Sequence, residues 1–352
     1  MPDLMKSEQI SPDEMPRTLM QAVRYFADSA LCEKYMRSIK WPDGKIACPK
    51  CGATGDRIGE VATRNLLRCK DCRKMIYSKE GTIFEDSPLG LDKWFVAVWC
   101  VANCKNGISS HELARALGVT QKTAWFMLHR VRKAMEIIDH DKFDGPAEAD
   151  ATYIGGKAAN MHKKVRERKI KGRGAVGKAI VHGVLQRGSD KTTSQVRCEV
   201  VGTDEAARLV PSVRRNVRFG AEVYTDEARA YAELADTQIH RAIDHSVKYA
   251  EGAVHTNGME NFWSLLKRGL AGTYVAVAPF HLCRYVAEQA FRFNERSRDD
   301  LGCFLLTLHG IVGKRITWRV RWLRTTLDLW EFLNTESQRC LLNQRAGTLS
   351  IR

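Results

Sequence analysis

The segment EADATYIGG, residues 148 to 156, has the pattern of a short strand and carries Asp150. Two more strand-like runs follow it, AIVHGVLQRG (179–188) and SQVRCEVVG (194–202), with a turn around Ser189 between them. Together the three runs predict a three-strand meander.

The chain then alternates between helix and strand. DEAARLVPSVRRNV (204–217) predicts a helix, which we expect Pro211 to end early. FGAEVYTDEARAY (219–231) predicts a strand followed by a helix, and HRAIDHSVKYAEG (240–252) predicts a weaker strand and a loop. HTNGMENFWSLLKRG (255–269) predicts the next helix. The order strand-strand-strand-helix-strand-helix is that of an RNase H-like α/β fold.

Acidic residues fall at positions that this fold would bring together. Asp150 lies on the first predicted strand and Asp226 just past the end of the fourth, so they can lie side by side on adjacent strands. The later helix carries Glu260, with Lys267 two turns beyond it and Asn257 one turn before it on the same face. Paired carboxylates repel each other and favour a divalent cation between them. Two magnesium ions held in this way can activate a nucleophile and stabilise a leaving oxygen in phosphoryl transfer. We therefore predict a metal site here, with the lysine placed to contact a DNA phosphate.

Each of these residues also has a purely structural interpretation. Asp150 could pair with a lysine, and Asp226 could simply cap a helix. Glu260 and Lys267 could form a solvated helix face. Trp263, in the same helix, could point toward the core or away from it.

Nearer the N-terminus, four cysteines form two C-x-x-C pairs, Cys48 with Cys51 and Cys69 with Cys72, separated by seventeen residues. This spacing is typical of a structural zinc site with four thiolate ligands, and the alternative is a redox pair or chance. The Gly-rich stretch between the pairs predicts a short hairpin. RKMIYSKEGTIFEDS (73–87) predicts that the strand pattern continues after the second pair.

Residues 91 to 106 predict an apolar-faced helix, and GISSHELARALGVTQKTAWFMLHRVRKAM (107–135) predicts two more. Ser109 or Ser110 can cap the first of the two, Gly118 fits a tight turn, and Thr120 can cap the second. Helix, short turn and helix is the helix-turn-helix pattern, although an ordinary helical hairpin has the same signals. In the DNA-binding case, the second helix presents its first residues to base edges in the major groove. These residues are Gln121, Lys122 and Thr123.

The bulk composition favours a nucleic-acid partner. The formal net charge is +15 and the pI about 9.4, although a merely basic enzyme could have the same charge. No run of eighteen apolar residues and no apolar signal core at the N-terminus are present, which predicts no membrane span and a cytoplasmic protein. When bound to DNA, a bacterial protein of this kind would be associated with the nucleoid. The cysteines number eleven, an odd count, so a disulfide framework is not expected. The cysteines outside the two pairs are expected to be small buried apolar residues.

A dense basic run follows the first acid, between residues 156 and 178. It would neutralise phosphates and add salt-sensitive affinity, or it is a disordered, solvated loop that can order on DNA. The C-terminal run RITWRVRWLRTTLDLWEFL (315–333) could face DNA, form a dimer or pack on the core, and the sequence does not decide. The further residues predicted to contact DNA are Lys163, Lys164, Arg166, Arg168, Lys169, Lys171, Arg173 and Arg268.

Four runs together resemble the zinc-ribbon DDE transposases of bacterial insertion sequences, the ISXO2-like group. They are AEADATYIGGK (147–157), VYTDEARAY (223–231), HTNGMENFWSLLKRGLAGTY (255–274) and HLCRYVAEQAFRFNER (281–296). The resemblance covers roughly residues 20 to 300 and includes the cysteine pairs and the helix pair in the same order. It implies a transposase with an RNase H-like catalytic domain that acts with magnesium or manganese on the terminal repeats of its own element.

Carried over residue by residue, the resemblance implies Asp150 as the first acid and Asp226 as the second. Glu260 is the implied third ligand, although some members of the group use asparagine, and Asn257 is available on the same stripe. Where the group has Asp-Glu-Thr-Tyr, this chain has Ala151 in place of the glutamate. The substitution reduces the local negative charge without touching the proposed ligand.

The sequence thus predicts a multidomain α/β protein. Its parts are a zinc ribbon with an N-terminal helix (20–90), a helix-turn-helix domain (91–138), an RNase H-like DDE catalytic domain with a basic insertion (145–300) and a basic helical extension (301–352). As a transposase it would bind terminal inverted repeats, hold two magnesium ions and a structural zinc ion, transfer strands to target DNA, and act as a dimer or larger multimer. The alternatives are a non-catalytic DNA-binding regulator derived from a transposase, and an RNase H-like nuclease without strand transfer.

Overall fold

A computed structural model describes residues 15–61, 66–136, 141–155, 178–189, 192–226, 229–243 and 255–316. The predicted DNA contacts between residues 163 and 173, and the C-terminal run from residue 317, lie outside these described residues. Within the described ranges, no helix has both the length and the apolar character needed to cross a membrane.

The N-terminal part is a small antiparallel sheet preceded by two helices. The helices are α1 (Leu19–Tyr25) and α2 (Ser29–Lys40), and the strands are β1 (Ile58–Val61), β2 (Leu66–Cys69) and β3 (Met75–Ile76), in that spatial order. The antiparallel pairing of β1 with β2 confirms the hairpin predicted between the cysteine pairs. The predicted strand beyond the second pair is wrong for most of its length, because β3 has only two residues. Turns follow it, and Gly81 takes a φ of +76° that no strand allows.

Three helices follow, α3 (Leu91–Asn103), α4 (Ser110–Leu117) and α5 (Gln121–Ala134). The Ser109 side chain accepts the N–H of Glu112 and so caps α4, which resolves the choice between two serines. Gly118 ends α4 in the left-handed conformation, and Thr120 caps α5. The predicted pair of helices with a short turn is therefore confirmed at its caps and at its glycine.

The helical part has its own apolar core, built around α3. Trp94, Phe95 and Trp99 are each at most 2% exposed, and Phe304 packs on the last two with ring centroids 6.2 and 5.3 Å away. Phe304 comes from α9 (Asp300–His309), which lies in the predicted C-terminal extension. The start of that extension thus packs into the helical core, and the compact unit ends at residue 314.

The third part is a five-stranded mixed sheet in the order β6-β5-β4-β7-β8. The strands are β4 (Ala147–Ile154), β5 (Ala179–Gln186), β6 (Gln195–Val201), β7 (Glu222–Asp226) and β8 (Ile239–Ile243). Antiparallel pairing of β4, β5 and β6 confirms the predicted meander, while β7 pairs parallel with β4 and β8 pairs parallel with β7. The segment after β7, predicted as a helix, is a 3-10 helix over residues 229–236.

Helix α6 (Ala206–Asn216) covers one face of this sheet, with Leu209, Val210 and Val213 buried against it. Pro211 lies inside the helix, so the predicted early end at this proline is wrong. A proline inside a helix costs about 3 kcal/mol. Burying three aliphatic side chains contributes roughly 1.5–3 kcal/mol each, which outweighs that loss.

Helices α7 (Asn257–Gly269) and α8 (Leu282–Asn294) cover the opposite face. A buried ion pair ties α8 to the helical part, because Arg132 Nε of α5 donates to Glu288 Oε2 at 2.7 Å and both side chains are 1% exposed. Cys283 of α8 is exposed, so the prediction that every remaining cysteine is buried is wrong there. The buried side of α8 runs through residues such as Tyr285, which leaves position 283 on the outer side of the helix.

Candidate acidic site and four-cysteine centre

Asp150 and Asp226 occupy neighbouring positions on adjacent parallel strands. The pairing of β4 with β7 ends at Ala149 with Thr225, and the two aspartates are the next residue on each strand. Matching positions on parallel strands point to the same face of the sheet. The fold therefore brings the two predicted acids together.

Helix α7 lies over Asp150. Trp263 Nε1 donates a hydrogen bond to Asp150 Oδ2 at 2.8 Å, and Trp263 is only 4% exposed. Asn257 and Glu260 lie in the first turn of the same helix with exposed side chains. Trp263, whose direction the sequence left open, is therefore buried and turned toward the acids.

The two basic residues predicted on α7 lie at its other end. Lys267 and Arg268 are in the last turn, and both are exposed. Seven residues separate Glu260 from Lys267, which corresponds to about 10 Å along a helix axis. The lysine is thus on the predicted side of the helix but away from the carboxylates.

The environment of Asp150 opposes its negative charge. Burial raises the pKa of its carboxyl, and the pKa lies at about 6. Hydrogen bonds from Trp263 and from the N–H of Ala151 lower this pKa, while the charges of Asp226 and Glu260 raise it. Carboxylates that repel one another are a donor set that suits a hard divalent cation. The chemistry of these residues therefore fits the metal that the sequence predicts.

A buried glutamate that the sequence analysis missed lies beside these acids. Glu148 is two residues before Asp150 on β4 and is 1% exposed. It accepts hydrogen bonds from Arg187 Nε at 2.7 Å and from the N–H of Met259 at 2.9 Å. The sequence signal that could have found it is spacing. Glu148 and Asp150 are two residues apart on one strand, so both side chains point to the same face of the sheet.

The four cysteines predicted to bind zinc lie together. Their sulfur atoms are all within 4.8 Å of one another, and the Cys48–Cys72 and Cys51–Cys69 sulfurs are 3.5 Å apart. A tetrahedral site with Zn–S bonds of about 2.3 Å needs sulfur separations of about 3.8 Å, so the set fits zinc. Across the described ranges no other three cysteine, histidine or acidic side chains come this close, the three proposed catalytic acids included.

The backbone around the cysteines favours the thiolate form, which is the form that binds a cation. Desolvation raises the pKa of the Cys48 thiol, but hydrogen bonds from the N–H groups of Cys51 and Lys50 outweigh it and lower the pKa to about 6. The residue after each cysteine pair has a left-handed backbone, with φ of +73° at Gly52 and +58° at Arg73. The first cysteine of each pair donates its N–H to the carbonyl five residues later, at 2.8 and 2.9 Å. The two turns thus share one geometry although only one has glycine.

The predicted DNA-reading residues lie in the first turn of α5. Gln121 and Lys122 are exposed and Thr123 is half-buried. Gln121 Nε2 donates to Ser110 Oγ at 2.8 Å, which ties the start of α5 to the start of α4. The end of the helix pair therefore presents polar side chains to solvent.

Comparisons with known proteins agree with this arrangement. Residues 142–294 match the family model of the ISXO2-like transposase domain, and residues 27–75 match that of the transposase zinc-ribbon domain. An uncharacterized protein in transposable element ISH50 of Halobacterium salinarum is 27% identical over 262 residues, which cover 72% of this chain and 86% of the relative. An uncharacterized transposase-like protein of Haemophilus influenzae is 35% identical over 96 residues, which cover 27% of this chain and 77% of the relative. The chain therefore belongs to the family of zinc-ribbon transposases with an ISXO2-like transposase domain.

Proposed function

We propose that this protein binds the terminal inverted repeats of an insertion sequence and catalyses metal-dependent DNA strand cleavage and transfer. The observation that carries the proposal is the position of Asp150 beside Asp226 on adjacent parallel strands, next to the helix that carries Glu260. Asp150 and Asp226 are neighbours across β4 and β7, and the charges of Asp226 and Glu260 both raise the pKa of Asp150. Acids from three distant parts of the chain thus share one electrostatic environment.

The topology of the sheet supports an RNase H-like catalytic domain. Three antiparallel strands are followed by a helix, and the fourth strand then lies beside the first. That order puts the first aspartate on a central strand and the second at the end of its parallel neighbour. A site at the end of parallel strands, covered by a later helix, is open to a ligand from one side.

In this proposal the three acids hold two Mg²⁺ or Mn²⁺ ions, and Asn257, one turn before Glu260, assists or replaces that glutamate. When bound, the ions supply the Lewis acidity that phosphodiester cleavage and transfer require. The protein orients the ligands. Trp263 Nε1 and the N–H of Ala151 each donate to a different oxygen of Asp150, at 2.8 and 2.7 Å. These two bonds hold the plane of the carboxylate, and each oxygen keeps a lone pair for a ligand.

Basic and polar surfaces would bring DNA to this site. The exposed Lys267 and Arg268 would contact phosphates along α7. Helices α4 and α5 would act as a helix-turn-helix, with Gln121, Lys122 and Thr123 at base edges. The basic run from 163 to 173 and the formal charge of +15 would add salt-dependent affinity. The zinc ribbon would share in recognising the element's ends, and joining two ends requires at least a dimer on DNA.

The test is strand cleavage and joining on labelled DNA that carries the element's ends, with Mg²⁺ or with EDTA. We expect cleavage and joining only with Mg²⁺, and loss of both in Asp150→Ala. Tight end binding without chemistry under any metal would instead support a DNA-binding regulator. Cut ends that are never joined would support a nuclease.

The second acid is tested in the same assay. Asp226→Asn keeps the size of the side chain but removes its charge, so cleavage should fall by about a thousandfold or more, equivalent to several kcal/mol of lost electrostatic stabilisation. DNA binding should be retained. Asp144→Asn is the matched control, because Asp144 is an exposed aspartate that pairs with Arg218 at 3.6 Å. Cleavage by Asp226→Asn at the wild-type rate would contradict the proposed site.

A further inference from the structure

Helix α7 is capped by the sheet, not by its own N-cap side chain. Its N-cap residue, Thr256, makes no side-chain capping bond. The first-turn N–H of Met259 instead donates to Glu148 Oε2 at 2.9 Å, across 111 residues of sequence. The free N–H groups and the positive end of a helix favour a carboxylate at this position. A buried glutamate of β4 therefore holds the end of the helix that carries Glu260.

Glu148 is itself held from a second side. Its Oε1 accepts from Arg187 Nε at 2.7 Å, and Arg187 Nη2 donates to the carbonyl oxygen of His255 at 2.5 Å. The guanidinium also lies 4.2 Å from the centre of the Tyr224 ring. Removing one partner of a buried ion pair is costly because it leaves the other charge uncompensated. This network joins β4, the chain just after β5 and the residue that leads into α7.

Two glycines allow the helix to approach the sheet this closely. A Cβ at Gly258 would lie 2.8 Å from Glu148 Oε2, and a Cβ at Gly183 would lie 2.4 Å from Met259 Cε and 2.9 Å from Trp263 Cη2. Real Cβ atoms essentially never come that close to another heavy atom. The distance between α7 and the sheet is therefore set by close contact at both positions.

The same strand holds the helix and presents the first acid. Glu148 and Asp150 are two residues apart on β4, so they point to one face. Glu148 binds the N–H of Met259, and Asp150 binds the indole N–H of Trp263. Glu260 lies between these two attachment points along α7. Its position relative to Asp150 thus depends on both bonds.

We propose that Glu148 is a positioning residue for the acidic site: by capping α7 it holds Glu260 where it can share a divalent cation with Asp150 and Asp226. The inference rests on the proposed function for the presence of that cation. It assigns Glu148 no contact with the metal or with DNA.

The test compares Glu148→Gln with the wild type, both full-length and loaded with zinc. Hydrogen exchange over residues 257–266 measures how well the first turns of α7 are held. A Mn²⁺ titration followed by electron paramagnetic resonance measures the affinity of the acidic site for the metal. We expect faster exchange in the first turn of α7 and a half-saturating Mn²⁺ concentration raised by about tenfold or more, the usual scale for losing a group that orients metal ligands. Loss of folded protein alone would lower the amplitude of the titration without moving its midpoint.

Glu199→Gln is the matched control. Glu199 lies on β6 of the same sheet and pairs with Arg215 at 2.6 Å, away from α7. It should change neither the exchange of α7 nor the Mn²⁺ midpoint. Gly258→Ala should move the midpoint as Glu148→Gln does, because its new Cβ displaces the Glu148 carboxylate. The double variant should then show much less than the sum of the two effects.

The outcomes separate this inference from the proposed function. Loss of Mn²⁺ binding in Asp150→Ala, together with an unchanged midpoint in a folded Glu148→Gln, would overturn the positioning role and leave the proposed function standing. Wild-type protein without any Asp150-dependent Mn²⁺ binding would overturn the proposed function and, with it, this inference.

Discussion

The two candidate metal-binding regions of this protein are assembled in opposite ways. In the ribbon, each half of the ligand set lies within four consecutive residues, and the halves meet across one short hairpin. In the transposase domain, Asp150, Asp226 and Glu260 come from two strands and a helix that are far apart in sequence. The first site depends on local turns, whereas the second depends on the packing of a whole sheet.

The pKa shifts in the two regions also have different origins, local in the ribbon and long-range at the acids. The pKa of Cys48 is lowered mainly by N–H groups of its own turn, against desolvation. The pKa of Asp150 is raised by burial, and its other neighbours include Trp263 and Glu260, more than a hundred residues later. Removing a distant contact should therefore disturb the acids but leave the cysteines unchanged.

Removal of zinc should have the largest effect, and it should be confined to the ribbon. Structural zinc contributes about 10–16 kcal/mol of apparent binding free energy in small zinc domains. In Cys51→Ser we expect zinc to be lost and the amides of β1 and β2 to exchange quickly, while β4 and β5 stay protected. Cys283→Ser, which changes an exposed cysteine outside the centre, is the control. Loss of protection in both sheets would refute the separation of the two regions.

Acid should weaken the five-stranded sheet through a buried histidine. Desolvation lowers the pKa of His182 to about 4, below its usual value of about 6.5. Between these values the unfolded chain binds a proton that the folded protein does not. The free energy of unfolding should therefore fall as pH drops through this window, by up to about 1.4 kcal/mol per pH unit, and the contribution is complete above pH 6.5.

The matching variant is His182→Gln, which cannot titrate there but can still bond with Ser212 Oγ, now 2.9 Å from His182 Nδ1. Urea unfolding of both proteins from pH 7 to pH 4 gives the comparison, because acid effects on the ribbon cancel in the difference. A difference in unfolding free energy that stays constant over this range would show that His182 does not carry the effect.

Gly183→Ala tests how far the acidic site depends on distant packing. The new Cβ would overlap Met259 and Trp263, so α7 or its side chains must shift. Overpacking of this kind costs about 1–3 kcal/mol. Gly202→Ala is the control, since a Cβ there meets nothing within 4 Å. Thermal unfolding would measure the stability of both variants. Equal losses of stability would mean that the close contact at Gly183 has no special importance.

The smallest expected effect is a gain in the stability of the zinc ribbon. Arg73 has a φ of +58°, a region that costs a residue with a Cβ about 1–2 kcal/mol, and glycine avoids most of this cost. Arg73→Gly should stabilise the zinc-loaded ribbon by about 1 kcal/mol, measured as resistance of zinc to a chelator. Gly52→Ala places a Cβ on the equivalent turn and should act in the opposite direction. A loss of stability in Arg73→Gly would show that its side chain matters more than its backbone.

Much of the fold was predictable from short stretches of sequence. The hairpin between the cysteine pairs, a serine cap at residue 109 or 110, the cap at Thr120 and the three-strand meander all depend on local sequence patterns. Local structural preferences of this kind are determined by residues that are neighbours in the chain. The same holds for the four-cysteine centre, since two C-x-x-C pairs nearly specify a tetrahedral site.

Other features depended on burial between distant segments, which no local pattern records. Pro211 was expected to end a helix, but burial of the side chains around it keeps the helix intact. Cys283 was expected to be buried, but the orientation of α8 leaves it exposed. Glu148 was missed altogether, because its partners Arg187 and Met259 lie 39 and 111 residues away.

Features that depend on short-range interactions could be predicted from the sequence, whereas those that depend on long-range contacts were decided by the tertiary structure. Residue types and spacing specified the four-cysteine centre and most of the helix ends. Only the packing of α7 on the sheet gave Trp263 its bond to Asp150 and Glu148 its place at the helix end. A helix or a turn is stabilised by neighbours in the chain, whereas a buried carboxylate acquires its properties from whatever the fold packs against it.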